Sequence, residues 1–183
     1  MGEPTTSVEY SEERCVRPNP VLRSLLRLNP IEVVARLATA EHYAVERFGA
    51  DEIHMQVPGF WCDYTLTFAF DRDAERLSLA IVFDGKLVGG RGDEIFRLLG
   101  LLNEQLSAGH FDFWAKTRSL VYRQAVSLAG GAELRIEQAM ALVAGALDAA
   151  ERGHPAFQYV IWAGNSPEDA LARVNEDLQG ARA

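Results

Sequence analysis

The sequence predicts an α+β fold: an antiparallel sheet of about five strands with helices packed on one face, in the order α-β-β-β-α-β-β-α. Three observations predict it. Apolar residues alternate with period two through 53–57, 61–70 and 77–83, with turn residues between the runs. Apolar stripes of helical period run through 30–40, 95–106 and 136–147. Each strand-like run is apolar on one face only, as expected of an antiparallel sheet covered by helices on one side.

Residues 1–18 are polar and acidic without a period and read as a flexible tail; residues 19–183 read as a single domain. Two Asn-Pro pairs follow, each an N-cap with proline at the first helical position, giving a short helical turn near 20–28 and a helix near 30–40. Glu32, three positions after Asn29, completes a capping box, and Ile31, Val34 and Leu37 or Ala38 form the buried stripe. Ile53, Met55 and Val57 then alternate, and Pro58-Gly59 turns the chain. In "WCDYTLTFAF" Cys62, Tyr64, Leu66, Phe68 and Phe70 share one face. "DRDAER" is a polar hairpin loop, and Leu77, Leu79, Ile81 and Phe83 make the third strand. Ile95, Leu98, Leu99, Leu102 and Leu106 form a helix stripe, with Asp93 as cap and Gly109 as the terminating glycine. "HFDFW" and "SLVYRQAVSL" read as two strands. A helix built on Ile136, Met140, Val143 and Leu147 follows. "HPAFQYVIWAGN" reads as a compact apolar turn or short helix that includes Trp162. Ser166, Pro167 and Asp169 open a last helix.

Composition narrows the function. The 183 residues are 48% apolar and 24% charged, enough for a sizeable core, and the net charge is -8. That balance argues against nucleic acid and against anionic membrane surfaces. The apolar runs are too short to span a bilayer, and the first residues lack a basic and apolar leader pattern. Two cysteines, Cys15 and Cys62, do not make a disulfide framework, so a reducing cytoplasm is expected.

Several stretches carry residue types that do chemistry. In "SAGHFDFW", His110 and Asp112 are the residues of a general base and its orienting carboxylate. Two apart on a strand, they share a face, but their Cβ atoms stand roughly 6–7 Å apart at a rise near ~3.3 Å per residue. They alternate with Phe111 and Phe113, so the motif reads as a strand entering the sheet from a glycine cap, with His110 and Asp112 on its polar face and the phenylalanines inward. Cys62 beside His54 or His110 suggests a thiol nucleophile; its register with Tyr64 and Leu66 places it in the core instead. Cysteines and histidines are not at metal-ligand spacing, and "DRDAER" lacks the glycine and closing glutamate of a calcium loop. "GKLVGGRGD" has glycines, Lys86 and Arg91 ahead of a helix but no phosphate-loop spacing. No metal or cofactor is expected.

Taken together, "VPGFWCDYTLTFAFDRDAERLSLAIVFD", "LLNEQLSAGHFDFW", the strand before Gly130-Gly131 and "HPAFQYVIWAGNSPEDAL" resemble the YbjN family of bacterial proteins, over about residues 28–172. The resemblance implies a regulator of sensory transduction, with a fold similar to the class I chaperones of type III secretion. Those chaperones dimerise and grip extended segments of client proteins. It supplies no catalytic residues.

The expectation is therefore a non-enzymatic cytoplasmic binding module, a chaperone-like adaptor or regulator acting through protein–protein contacts. The alternative is a small hydrolase or transferase using His110, Asp112 or Cys62, which requires at least two of these groups to converge in one cleft. The expected partner surface is the second face of the sheet, carrying Trp61, Thr65, Thr67, Ala69, Ser78, Ala80 and Val82. These residues are too mixed for a core and too apolar for a fully solvated face. Its occupant is a protein partner or a second copy in a homodimer.

Overall fold

A computed structural model of the protein describes residues 28–83 and 91–180. The tail, nearly all of the turn near 20–28, Cys15 and most of the glycine-rich loop lie outside the described residues.

Helix α1, Pro30–Ala40, leads into four strands: β1 Ala44–Arg47, β2 Glu52–Pro58, β3 Asp63–Asp71 and β4 Arg76–Phe83. Helix α2, Gly92–Glu104, precedes β5, His110–Trp114, and β6, Ser119–Ser127. A 3-10 turn at Ala129–Gly131 connects to the long helix α3, Ile136–Ile161, and to α4, Pro167–Gly180. Among the described residues the six strands form one antiparallel sheet in the order β1-β2-β3-β4-β6-β5. The chain crosses through α2 so that β6 returns beside β4 and β5 becomes an edge. The strand missing from the sequence reading is β1. All four of its residues are exposed, so it shows no apolar alternation.

Local chemistry sets the ends of the elements. Asn29 Oδ1 accepts the Ile31 N–H at 3.0 Å, and its amide donates to the Ala50 carbonyl at 2.9 Å and to Asp51 at 2.8 Å. The expected capping box does not close. Glu32 accepts two bonds from the Arg47 guanidinium, at 2.7 and 2.9 Å, and ties α1 to β1. The N-cap position of α2 is Arg91 and not Asp93, which lies in the first turn where a carboxylate suits the positive end of the helix. Gly109 is not the helix terminator, because α2 ends at Glu104. Its φ of +71° turns the chain into β5, and the space a Cβ would take is filled by the Tyr122 ring. At the start of α4, Ser166 Oγ accepts the Asp169 N–H at 3.1 Å, while its hydroxyl donates to the Asp169 carboxylate at 2.8 Å.

Helix α3 differs most from expectation. "HPAFQYVI" is not a separate turn: the helix runs through it, with Pro155 inside. An interior proline costs about 3 kcal/mol. Phe157 and Val160, both buried, each return about 1.5–3 kcal/mol by leaving water, which outweighs it. The buried stripe is also rotated from the expected one. Met140 is 48% and Ile136 37% exposed, and the helix faces the core with Ala139, Val143, Ala146, Ala149, Ala150 and Gly153. Trp162, expected in a packing turn, is 73% exposed.

The core lies between the sheet and the helices. From β2, β3 and β4 it takes Ile53, Met55, Val57, Tyr64, Leu66, Phe68, Leu77, Leu79, Ile81 and Phe83, the inward phase read from the sequence. Helix α1 packs on β1 to β3, α2 on β5, and α3 on β3, β4 and β6; α4 packs on α3 and α2. Phe111 sits at the centre of an aromatic group, with Tyr122, Phe157 and Phe83 centroids 5.5, 5.6 and 5.9 Å away.

Emptying that site should be expensive. Phe111→Ala is expected to cost about 3–5 kcal/mol in urea unfolding, and His110→Ala, on the exposed side of the same strand, less than ~1 kcal/mol. The reverse ranking would overturn the register of β5.

Candidate functional site: the open face of the sheet

Pairing across the sheet places Glu46, His54, Thr67, Ala80, Arg123 and His110 in one row, on the side opposite the helices. Thr65, Ala69, Ser78, Val82 and Ala125 flank that row. Thr67, Ala69, Ser78 and Ala80 are half-buried by their neighbours, and Val82 is 50% exposed. Small side chains at alternate positions leave a concavity of about 720 Å³ over β3, β4 and β6. Its floor is Thr67, Ala69, Ser78, Ala80 and Ala125, and its walls include Arg76, His110, Trp114 and Arg123.

Six of the seven residues expected on the partner surface lie on the open face, and four of them, Thr67, Ala69, Ser78 and Ala80, line the concavity. Trp61 does not. It precedes β3, and its indole N–H donates to the Glu151 carbonyl of α3 at 3.0 Å, fixing the β2–β3 loop to the helix layer. Loop residues escape the alternation rule, because the pleat begins only at Asp63.

His110 and Asp112 are brought together by a residue that the sequence reading did not single out. Arg123 Nε donates to His110 Nε2 at 2.9 Å, and its Nη2 stands 3.0 Å from Asp112 Oδ2. The arginine thus lies between the supposed base and its supposed orienting carboxylate, and the His110 lone pair is used in holding it. Asp112 Oδ1 also accepts the Phe113 N–H at 2.8 Å. Arg123 was legible as the polar-phase residue of "SLVYRQAVSL", but only the β5–β6 register shows that it faces His110.

Cys62 lies on the helix side, partly buried against the core. Its neighbour is neither His54 nor His110 but His154, with Sγ and Nδ1 3.9 Å apart. The Gln158 amide contacts the other ring nitrogen at 2.7 Å. His54 instead pairs with Glu52 at 2.8 Å on the open face. Cys62 is therefore in the opposite layer from His110 and Asp112, and those two meet only through Arg123. Around Cys62 the β2–β3 loop is clamped to α3: Glu151 Oε1 accepts the Phe60 N–H at 2.6 Å, and a Cβ at Gly59 would run into Glu151 and Tyr64. Burial pushes the Glu151 carboxyl above the ordinary carboxylate range, and burial with Glu151 nearby pushes the Tyr64 phenol far above its own.

Arg91, considered for an anion loop, donates to the Asn165 carbonyl at 3.1 Å and approaches Glu94 at 3.5 Å, so it joins α2 to the start of α4. Asn103 closes the outer edge of β5. Its amide donates to the Phe111 carbonyl at 3.0 Å and its oxygen accepts the Phe111 N–H at 2.6 Å, a side-chain substitute for a neighbouring strand. Among the described residues no group of three or more His, Cys, Asp or Glu is placed to hold a metal ion. No described helix is long and apolar enough to cross a membrane.

Fold and site together define a two-layer α+β protein with helices on one sheet face and the other face open. A family model, YbjN, described as "Putative bacterial sensory transduction regulator", matches residues 30–159. The chain belongs to the YbjN family. A solved structure titled "Crystal Structure of the ExsC-ExsE Complex" is similar at 23% sequence identity and a TM-score of 0.46, covering 69% of this chain and 92% of that one. No curated protein matches the chain.

The raised Glu151 carboxyl gives a testable pH dependence. A carboxyl whose folded pKa lies above its unfolded value binds more protons when folded, so its contribution to stability falls as pH rises from near 4.5 through the folded value. Relative to Glu151→Gln, the parent should therefore lose stability in urea melts between pH 4.5 and pH 8. A difference that does not change with pH contradicts the burial of that carboxyl.

Proposed function

We propose that this protein is a binding adaptor or regulator that acts through protein–protein contacts, with the open sheet face as its docking surface. The observation that carries the reading is that face: semi-apolar, floored by small residues and hollowed to about 720 Å³. Patches of this kind often mark protein contacts, and small residues let a second layer approach closely, as at sheet-on-sheet contacts. The family's description as a regulator agrees with a role exerted by binding. The reading includes a homodimer as one way of covering the same face; light scattering at high micromolar concentration measures it, and a monomer there excludes the homodimer.

A photo-crosslinking amino acid placed at Thr67 or at Ala80 should capture partner polypeptide in the native cells. The same group at Glu137, exposed on the first turn of α3, should not. Adducts formed only from position 137 would move the docking surface to the helix layer.

A further inference from the structure

Away from the open face, three polar side chains gather around a thiol. Cys62 ends the β2–β3 loop on the helix side of the sheet and is half-buried, so its sulfur is not sealed from solvent. His154 of α3 faces it, with Nδ1 3.9 Å from Sγ. One turn further along α3, the amide nitrogen of the exposed Gln158 stands 2.7 Å from His154 Nε2. An amide nitrogen donates, so Nε2 accepts and the neutral ring carries its proton on Nδ1, directed at the sulfur. Turning the amide over exchanges the roles, and Nδ1 then takes the thiol proton; both arrangements favour the thiolate. Tyr64 of β3 is a further hydrogen-bond neighbour of Cys62. Its phenol is pushed far above its ordinary range, by burial first and then by Glu151 and Cys62, so the hydroxyl keeps its proton and can donate. The other acceptor near that hydroxyl, the Ala150 carbonyl, is 3.5 Å away, too far for a strong bond. Glu151, also on α3, opposes a charge on sulfur, but burial pushes its carboxyl toward the neutral form and reduces that repulsion.

We propose that Cys62 is a modification site, a thiol that His154 and Tyr64 hold ready as a thiolate and that small hydroperoxides oxidise to a sulfenic acid. A thiolate is the reactive form of cysteine, and a neighbouring imidazole is one of the settings that lower the pH at which it forms. Sulfur attacks one oxygen of hydrogen peroxide. An S–O bond forms and the O–O bond breaks. Two electrons pass from sulfur to the departing oxygen, which takes up the proton lost by the thiol and leaves as water. Thiol and peroxide thus become sulfenic acid and water. A small reagent suits the site, because the loop is pinned to α3 through the Phe60 N–H and the Trp61 indole and leaves the sulfur one open side. The site lies across the sheet from the docking surface and stands whether or not that surface binds a partner.

The test uses the full chain with Cys15→Ser, which leaves Cys62 as its one cysteine. The protein is treated with hydrogen peroxide in the presence of dimedone, which traps sulfenic acids, and the adduct is located by peptide mass mapping. An adduct at Cys62 is expected; its absence overturns the proposal. The rate of alkylation by iodoacetamide against pH then separates activation from simple exposure. In the native protein the midpoint should fall about one unit or more below that of the urea-unfolded chain, where a thiol titrates near ~8.5. A native midpoint at or above the unfolded one overturns the proposal without recourse to a further variant. His154→Phe keeps a ring against Tyr64 and Phe83, whose centroids lie 6.0 and 6.4 Å away, and removes both nitrogens. It should return the midpoint to about the unfolded value, and Gln158→Ala, at an exposed position, should raise it part of the way. A profile that neither substitution moves overturns the role given to His154.

Discussion

The two-layer structure depends on how closely α3 approaches the sheet, and Gly153 sets that distance. A Cβ there would stand 2.6 Å from the Phe111 ring and 3.3 Å from Phe157. Without it the helix rests directly on the aromatic group, and the alanines of its buried stripe keep the same spacing along its length. Within about one turn of it lie the contacts that follow from this approach. Glu151 reaches the β2–β3 loop, His154 reaches Cys62, and Phe157 meets Phe83 at 5.4 Å. One helix thus covers the middle of the sheet, α1 and α2 cover its two ends, and all the large apolar side chains of β2 to β4 except Val82 turn toward them.

The consequence is a sheet with one satisfied face and one that is offered. Its edges are poor docking points. Asn103 already occupies the Phe111 backbone on β5, while β1 is short, fully exposed and flanked by charge. What remains is the face, where the register brings Thr67, Ala80, Arg123 and His110 into line.

Much of this was legible in the sequence. The inward phase of β2, β3 and β4 and the buried stripe of α2 follow from period two and period 3.6, because each is built of large apolar residues that have one place to go. What escaped detection had weaker signals. Strand β1 has no buried residue to set a phase. The stripe of α3 is alanine, which periodicity weighs lightly, so Met140 and Ile136 drew the reading one position off. Pro155 marked a break that the packing of Phe157 and Val160 overrode. The pairings that define the sites were invisible for a different reason. Arg123 lies 13 residues from His110, and His154 lies 92 from Cys62; only the strand register and the seating of α3 bring them together.

The central claim is that the sheet face opposite the helices is the working surface, and hydroxyl-radical footprinting read by mass spectrometry tests it most directly. His110, Trp114 and Val82 on that face should be oxidised readily in the purified protein and protected in the native cells, while the exposed helix-layer residues Phe96, Met140 and Trp162 are oxidised alike in both. Protection of Phe96, Met140 or Trp162 with no change at His110, Trp114 and Val82 would contradict the account.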